Sequence, residues 1–265
     1  MQFVLYVLSV TEIKGSLTLM DSYGAALAAI AFLLGGILKG AVGAGSPVIA
    51  VPILSMLYGV PFAVSVFVLP NLVSNLWQGW QYRNYLVSPK FAAVFALSGA
   101  VGAGVGSVLL SALPADFLMR IVAFVVLGYV AFRLTRPNWR LSDGLANRLV
   151  APAGFIGGIL QGAGGISAPV SVTFMNALKM ERAAFIATIS IFFVAMSAVQ
   201  IPTLISLGIL TQDRLLFSVF ALIPLLGGMP IGAWIARHVD AAVFDKVVLA
   251  LLFVVALKLI FFPNS

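Results

Sequence analysis

The stretch GGILKGAVGAGSPV at Gly35–Val48 recurs as GGILQGAGGISAPV at Gly157–Val170, with nine of fourteen positions identical. The chain carries an internal duplication, and each copy sets glycines, a hydroxyl and a proline inside long apolar sequence. Irregular backbone at membrane depth is tolerated only where it is buried in protein or lines a water-filled cavity. Two such breaks in corresponding places of two halves point to one shared binding site.

The sequence around the copies is that of an integral membrane protein. Of 265 residues, 62% are hydrophobic and 9% charged, and the mean hydropathy is +1.14, whereas a soluble domain carries roughly a quarter charged residues. Apolar runs recur along the whole length, so residues 1–265 read as a single membrane domain with no room for an extramembrane catalytic module. The start, MQFVLYVLSVTEIKGS, lacks a basic region and a small-residue cleavage site, so it is expected to be retained. Without cysteine there is no disulfide, thiolate metal site or cysteine nucleophile. The formal charge of +7 comes from basic residues clustered between apolar segments, as membrane topology requires, and nucleic acid is not an expected partner.

Apolar segments run over 23–57, 62–82, 91–113 and 117–132, then over 151–178, 183–210, 215–236 and 243–262. The second four repeat the first four. The offset is 122 residues across the glycine motif, which sets Gln200 on Gln78 and Ser197 on Asn75. It grows to 126 afterwards, setting Gly228 and Gly232 on Gly102 and Gly106. Repeat 1 covers about 22–134, a polar linker 135–148, and repeat 2 about 149–262. As one helix, residues 22–57 would be about 54 Å long, against a hydrocarbon core of ~30 Å. The chain must turn back at the glycines, either as a re-entrant hairpin or as two short crossings. The expected fold is all-α and membrane-integral: two inverted repeats, each a turned-back broken-helix element plus three transmembrane helices.

The basic residues favour inversion. It collects ten on one side, Arg83, Lys90, Arg133, Arg136, Arg140, Arg148, Lys179, Arg182, Arg237 and Lys246, against Lys14, Arg120, Arg214 and Lys258 on the other. Parallel halves give nine against five. The positive-inside bias then puts both termini outside and leaves Lys39 within the membrane.

Glycines 43 and 45 permit dihedrals that a helix cannot use, Ser46 is the expected N-cap, and Pro47 sits where its missing N–H costs nothing. A half-helix should start there, and Gly164, Gly165, Ser167 and Pro169 should start another from the opposite side. Helix N-termini favour anions, so two of them facing each other make an electropositive pocket. Lys39 is the basic side chain of the first motif and Gln161 its counterpart, which offers an anion an ammonium from one half and an amide from the other. The plainer reading is a lysine snorkelling to the interface. Asn71, Ser74, Asn75 and Gln78 form one helical stripe, and Ser190, Ser197 and Gln200 a sparser one. Such stripes serve either interhelical hydrogen bonding or a permeation path, and the recurrence of the amide at Gln78 and Gln200 favours the path, with Asn75, Gln78, Ser197 and Gln200 expected at the substrate. Gly102, Gly106, Gly228 and Gly232 read as packing positions.

All eight carboxylates, Glu12, Asp21, Asp116, Asp143, Glu181, Asp213, Asp240 and Asp245, fall in loops or at segment ends. That disfavours cation pumps and carboxylate proton relays. No metal site, cofactor or hydrolytic constellation is expected, and His238 reads as a surface residue.

With these motifs, the two halves and the length, the chain resembles the TauE/SafE family of membrane exporters over essentially all its residues. The resemblance implies a multi-pass protein of a prokaryote's cytoplasmic (inner) membrane that moves small sulfur-containing or organic anions, such as sulfite or organosulfonates, outward. It carries over to Gly40, Gly43, Gly45 and Pro47, and to Gly162, Gly165, Ser167 and Pro169; Gly40, Pro47, Gly162 and Pro169 are expected at helix breaks or gates, and Gly43, Gly45, Gly165 and Ser167, with Ser46 and Gly164, at the substrate. The expected partners are the anion and the lipid bilayer, with the oligomeric state left open. An anion-selective channel and a non-transporting membrane scaffold are the alternatives.

Overall fold

The computed structural model describes residues 22–136, 139–238, 250 and 253. The last apolar segment, 243–262, lies essentially outside them, as do Glu12, Asp21, Asp240, Asp245, Lys14, Lys246 and Lys258. Helices account for nearly all the described residues, and no strand occurs among them. In chain order they are α1 (Ser22–Val42), α2 (Ser46–Tyr58), α3 (Val60–Gln81), α4 (Pro89–Ala112), α5 (Ala115–Thr135), α6 (Asp143–Gly164), α7 (Ser171–Ala177), α8 (Arg182–Ser206) and α9 (Gln212–His238), with a 3-10 turn at Arg83–Tyr85. Six of them, α1, α3, α4, α5, α8 and α9, are long and apolar enough to cross a membrane.

Local chemistry sets many of the boundaries. Gly59 ends α2, and Pro61 lies in the first turn of α3. Ser88 caps α4, its hydroxyl accepting from the Phe91 N–H at 3.3 Å, with Pro89 at the first helical position. The polar run that reads as linker is partly helical, because Ser142 and Asp143 start α6 ahead of its apolar part. Within α3, Pro70 has no N–H for the carbonyl of Val66, and Ser218 of α9 supplies the missing donor at 2.7 Å.

The tightest packing joins the two halves. On α1, a methyl added at Gly36 or Gly40 would overlap the carbonyls of Leu225 and Met229 on α9, while one at Gly228 or Gly232 would overlap those of Leu33 and Ile37. Between α4 and α6 the same relation holds: Gly102 and Gly106 sit on the carbonyls of Phe155 and Ile159, and Gly158 and Gly162 on those of Gly99 and Ala103. Under the sequence offsets these two contacts are counterparts of each other. Small residues let backbones meet where lipid offers no hydrophobic drive for association, so dispersion and close approach hold the pairs. Between these pairs, α3 lies against α8 and along both breaks.

Candidate functional site

At the first break α1 ends at Val42 and α2 begins at Ser46, so three residues reverse the chain. Gly43 and Gly45 have φ of 88° and 100°, where any side chain is strained. The arms fold back on each other closely enough that a methyl on Gly35 would crowd the carbonyl of Ser46. Gly45, in the left-handed region, holds the cap position that the sequence gives to Ser46; Ser46 is the first helical residue, its hydroxyl buried and without a partner.

The second break is longer. α6 ends at Gly164, Gly165 has φ of 70°, and α7 starts only at Ser171 and runs for seven residues. The cause is the substitution of Ser167 for Gly45: a residue with a Cβ resists positive φ, so the chain cannot reverse in three residues. Instead the Ser167 carbonyl accepts from the N–H groups of Val170 and Ser171, at 3.0 and 2.8 Å, and from the Ser171 hydroxyl at 3.0 Å. Pro169 sits in this turn, ahead of a regular helix. Gly40 and Gly162 are not at the reversals, since both lie within helices, pressed on carbonyls of α9 and α4.

Lys39 is in the last turn of α1 and 1% exposed. Its ammonium donates to Asn75 Oδ1 at 2.8 Å and lies 5.7 Å from the ring centre of Phe193 on α8. Asn75 Nδ2 donates to Asn71 Oδ1 at 2.9 Å, and Asn71 Nδ2 donates to Ser197 Oγ at 3.1 Å. A buried chain of polar contacts thus runs from the first motif along α3 to α8 of the second half. The stripe of Asn71, Ser74, Asn75 and Gln78 is buried as a unit, with the Ser74 hydroxyl donating to the Pro70 carbonyl at 2.6 Å.

In the second half, Gln200 Nε2 donates to the backbone carbonyl of Gln161 at 3.3 Å. The side-chain oxygens of Gln161, Gln200 and Gln78 are buried without partners, as is the hydroxyl of Ser190. Among the described residues no hydrogen bond joins the Gln161–Gln200 pair to the Lys39 chain. An unpaired buried carbonyl or hydroxyl costs about 1–3 kcal/mol. Those of Gln78, Gln161, Gln200 and Ser190 lie on α3, α6 and α8.

Charge is unevenly distributed around this region. Asp116, Asp143, Glu181 and Asp213, the carboxylates among the described residues, lie exposed at helix starts and none pairs with Lys39. Burying an ammonium costs several kcal/mol. The negative end of α1 returns ~0.3–1 kcal/mol of this, and Phe193 ~0.5–2. The bond to Asn75 returns ~1.5–3 kcal/mol more, so the ammonium is held by an amide, a ring and a helix end, with no carboxylate among the described residues. Among the described residues no cluster of histidines or carboxylates suits a metal ion.

One participant is not legible as such in the sequence. Arg182, at the start of α8, donates from Nη2 to the carbonyls of Gly40 and Ala41 at 2.9 and 3.1 Å, fastening the second half to the end of α1 beside the first break. In the sequence it is one of ten basic residues on a common side, and nothing local names its acceptors. Gly43 is enclosed by Ile186, one turn further along the same helix. His238 is exposed and its Nδ1 lies 2.8 Å from the Trp234 carbonyl oxygen.

The family model described as sulfite exporter TauE/SafE matches residues 27–259. No curated protein and no solved structure matches the chain.

Proposed function

The chain belongs to the sulfite exporter TauE/SafE family, and from that premise we propose that it carries a small monovalent anion, sulfite in its hydrogen form or an organosulfonate, out of the cell through the buried region around Lys39. The family's members are membrane transporters, and no enzymatic activity is assigned to this chain. The observation that carries the reading is Lys39: a buried cation with amide and aromatic neighbours and, among the described residues, no carboxylate beside it. Ser46, Gln78, Ser190, Gln161 and Gln200 are the polar groups that complete the anion's coordination as it passes from the first half to the second. Gly43, Gly45 and Gly165 let the two breaks change shape.

The counterpart relation of the α1–α9 and α4–α6 contacts supports inverted halves that rock about α3 and α8. The excess of basic residues on one side supports an orientation with both termini outside, and the family membership supports the cytoplasmic membrane of a prokaryote. A membrane potential of 100 mV, negative inside, drives each monovalent anion outward by ~2.3 kcal/mol, so export needs no intramembrane carboxylate to couple protons. Proteoliposomes loaded with sulfite, thiosulfate, sulfoacetate, lactate or chloride test this. Potential-driven efflux of sulfite or a sulfonate is expected, and flux of none of them, or flux indifferent to the imposed potential, would overturn it.

A further inference from the structure

A second binding place lies away from Lys39, on the flank formed by α5, α6 and the second break. There α5 and α6 diverge around a cavity of about 530 Å³, into which α5 presents Gly128 and Phe132, α6 presents Leu149, Ile156 and Leu160, and the break presents Val170. The lining is almost wholly apolar, and both helices carry it as stripes at helical spacing. At Gly128 the space is open: a methyl there would meet nothing within 4 Å. The cavity suits a small-molecule ligand in size, since such sites run from about 300 to 1,000 Å³. From Leu149 to Leu160 it extends about 16 Å along α6, about half of a ~30 Å hydrocarbon core and hence one leaflet deep.

Its outer end is marked by charge. Trp139 closes the cavity beside Phe132 and Leu149, at the level where aromatic side chains sit among lipid headgroups. Arg136, Arg140 and Arg148 are exposed on the surrounding linker and first turns of α6. Lys179 joins them, because the Leu141 N–H donates to the Ala177 carbonyl at 3.0 Å and brings the end of α7 to the linker. Asp143 and Glu181 are the carboxylates at this end, so four cations outnumber two anions. This is also the side that collects the excess of basic residues, which faces the leaflet rich in anionic lipid.

We propose that this groove is a binding site for an anionic phospholipid, one acyl chain running along α6 to Val170 and the phosphate resting among Arg136, Arg140, Arg148 and Lys179. The lipid packs on Pro169 and Val170 and so becomes part of the wall of the second break. This site is independent of which anion the protein carries.

Native mass spectrometry of the delipidated full chain, titrated with phosphatidylglycerol and with phosphatidylcholine of the same chains, tests it. Wild type should retain phosphatidylglycerol in preference. Arg140→Gln with Arg148→Gln should reduce that preference by about five-fold per arginine. Gly128→Phe should abolish the adduct while Gly128→Ala keeps it, and Leu149→Trp blocks the same groove from the other wall if Gly128→Phe does not fold. Equal retention of the two lipids, undiminished binding by the blocked variants, or displacement by chain-free glycerol phosphate would overturn the assignment. So would a dimer in wild type that Gly128→Phe turns into a monomer with lipid binding intact, because the groove would then be a contact between copies.

Discussion

Replacing Lys39 by glutamine separates its two roles. Glutamine is what the second motif carries at this position, Gln161, and its amide can still donate to Asn75 Oδ1, so the bond at 2.8 Å keeps a donor while the charge goes. Removing one member of a buried ion pair costs about 3–5 kcal/mol. An anion held by the ammonium should therefore bind Lys39→Gln on the order of a hundred- to a thousand-fold more weakly, at 1.4 kcal/mol per decade. At a hundredfold excess over Kd a ligand stabilises the protein by about 2.7 kcal/mol, and in the variant that stabilisation falls to about 0.4 kcal/mol or less at the same concentration. Without ligand the sign reverses: an uncompensated buried charge has been removed, so the variant should unfold at the same temperature as wild type or higher. Thermal unfolding in detergent, with and without sulfite and sulfoacetate, reads both effects. Retention of the anion-dependent shift by Lys39→Gln would refute the reasoning, as would a marked loss of ligand-free stability, which would make Lys39 a structural residue.

Other positions give independent checks. Gly162→Ala forces a methyl onto the Ala103 carbonyl and should cost about 1–3 kcal/mol by overpacking, whereas Gly128→Ala should leave the unfolding midpoint in place. Ser218→Ala leaves the Val66 carbonyl that Pro70 orphans without its donor, and a loss of about 1–3 kcal/mol is expected in the same measurement. Gly45→Ala puts a Cβ at φ of 100° and should destabilise the first break by about 1–2 kcal/mol, close to the cost of left-handed backbone for an ordinary residue; the Ser167→Gly change should be tolerated or stabilising to the extent that it lets α7 begin earlier. Arg182→Gln removes the clamp on the Gly40 and Ala41 carbonyls and should raise hydrogen exchange in the last turn of α1 while leaving that of α6 unchanged.

The breaks were readable because they are local. Glycine at 43, 45 and 165 and proline at 47 and 169 dictate backbone conformation within a few residues, and the reversals fall there, three residues beyond Gly40 and Gly162. The shift has a plain cause: Gly40 and Gly162 are spent on close approach to another helix, and a glycine in an apolar stretch looks the same whether it turns the chain or admits a neighbour. The unequal lengths of the breaks were also present in the sequence, in the exchange of Gly45 for Ser167, though the cap at Gly45 in place of Ser46 needed the observed dihedral. The inward stripe of Asn71, Asn75 and Gln78 followed from helical periodicity. Its partners did not, since Ser197 and Lys39 reach it from elements 126 and 36 residues away.

What the sequence alone determined was the membrane as solvent, the duplication, the places where helices cannot continue, and the confinement of carboxylates to loops and segment ends. These depend on composition and on backbone preferences, which each residue carries with it. Only the tertiary structure decided that α1 packs on α9 and α4 on α6, that Lys39 finds Asn75 and Phe193 in place of an acid or the interface, and that Arg182 closes the end of α1. In lipid, apolar faces do not choose one another by hydrophobicity; backbone contact at small residues and a few buried hydrogen bonds choose them, and those matches exist only once both surfaces are formed.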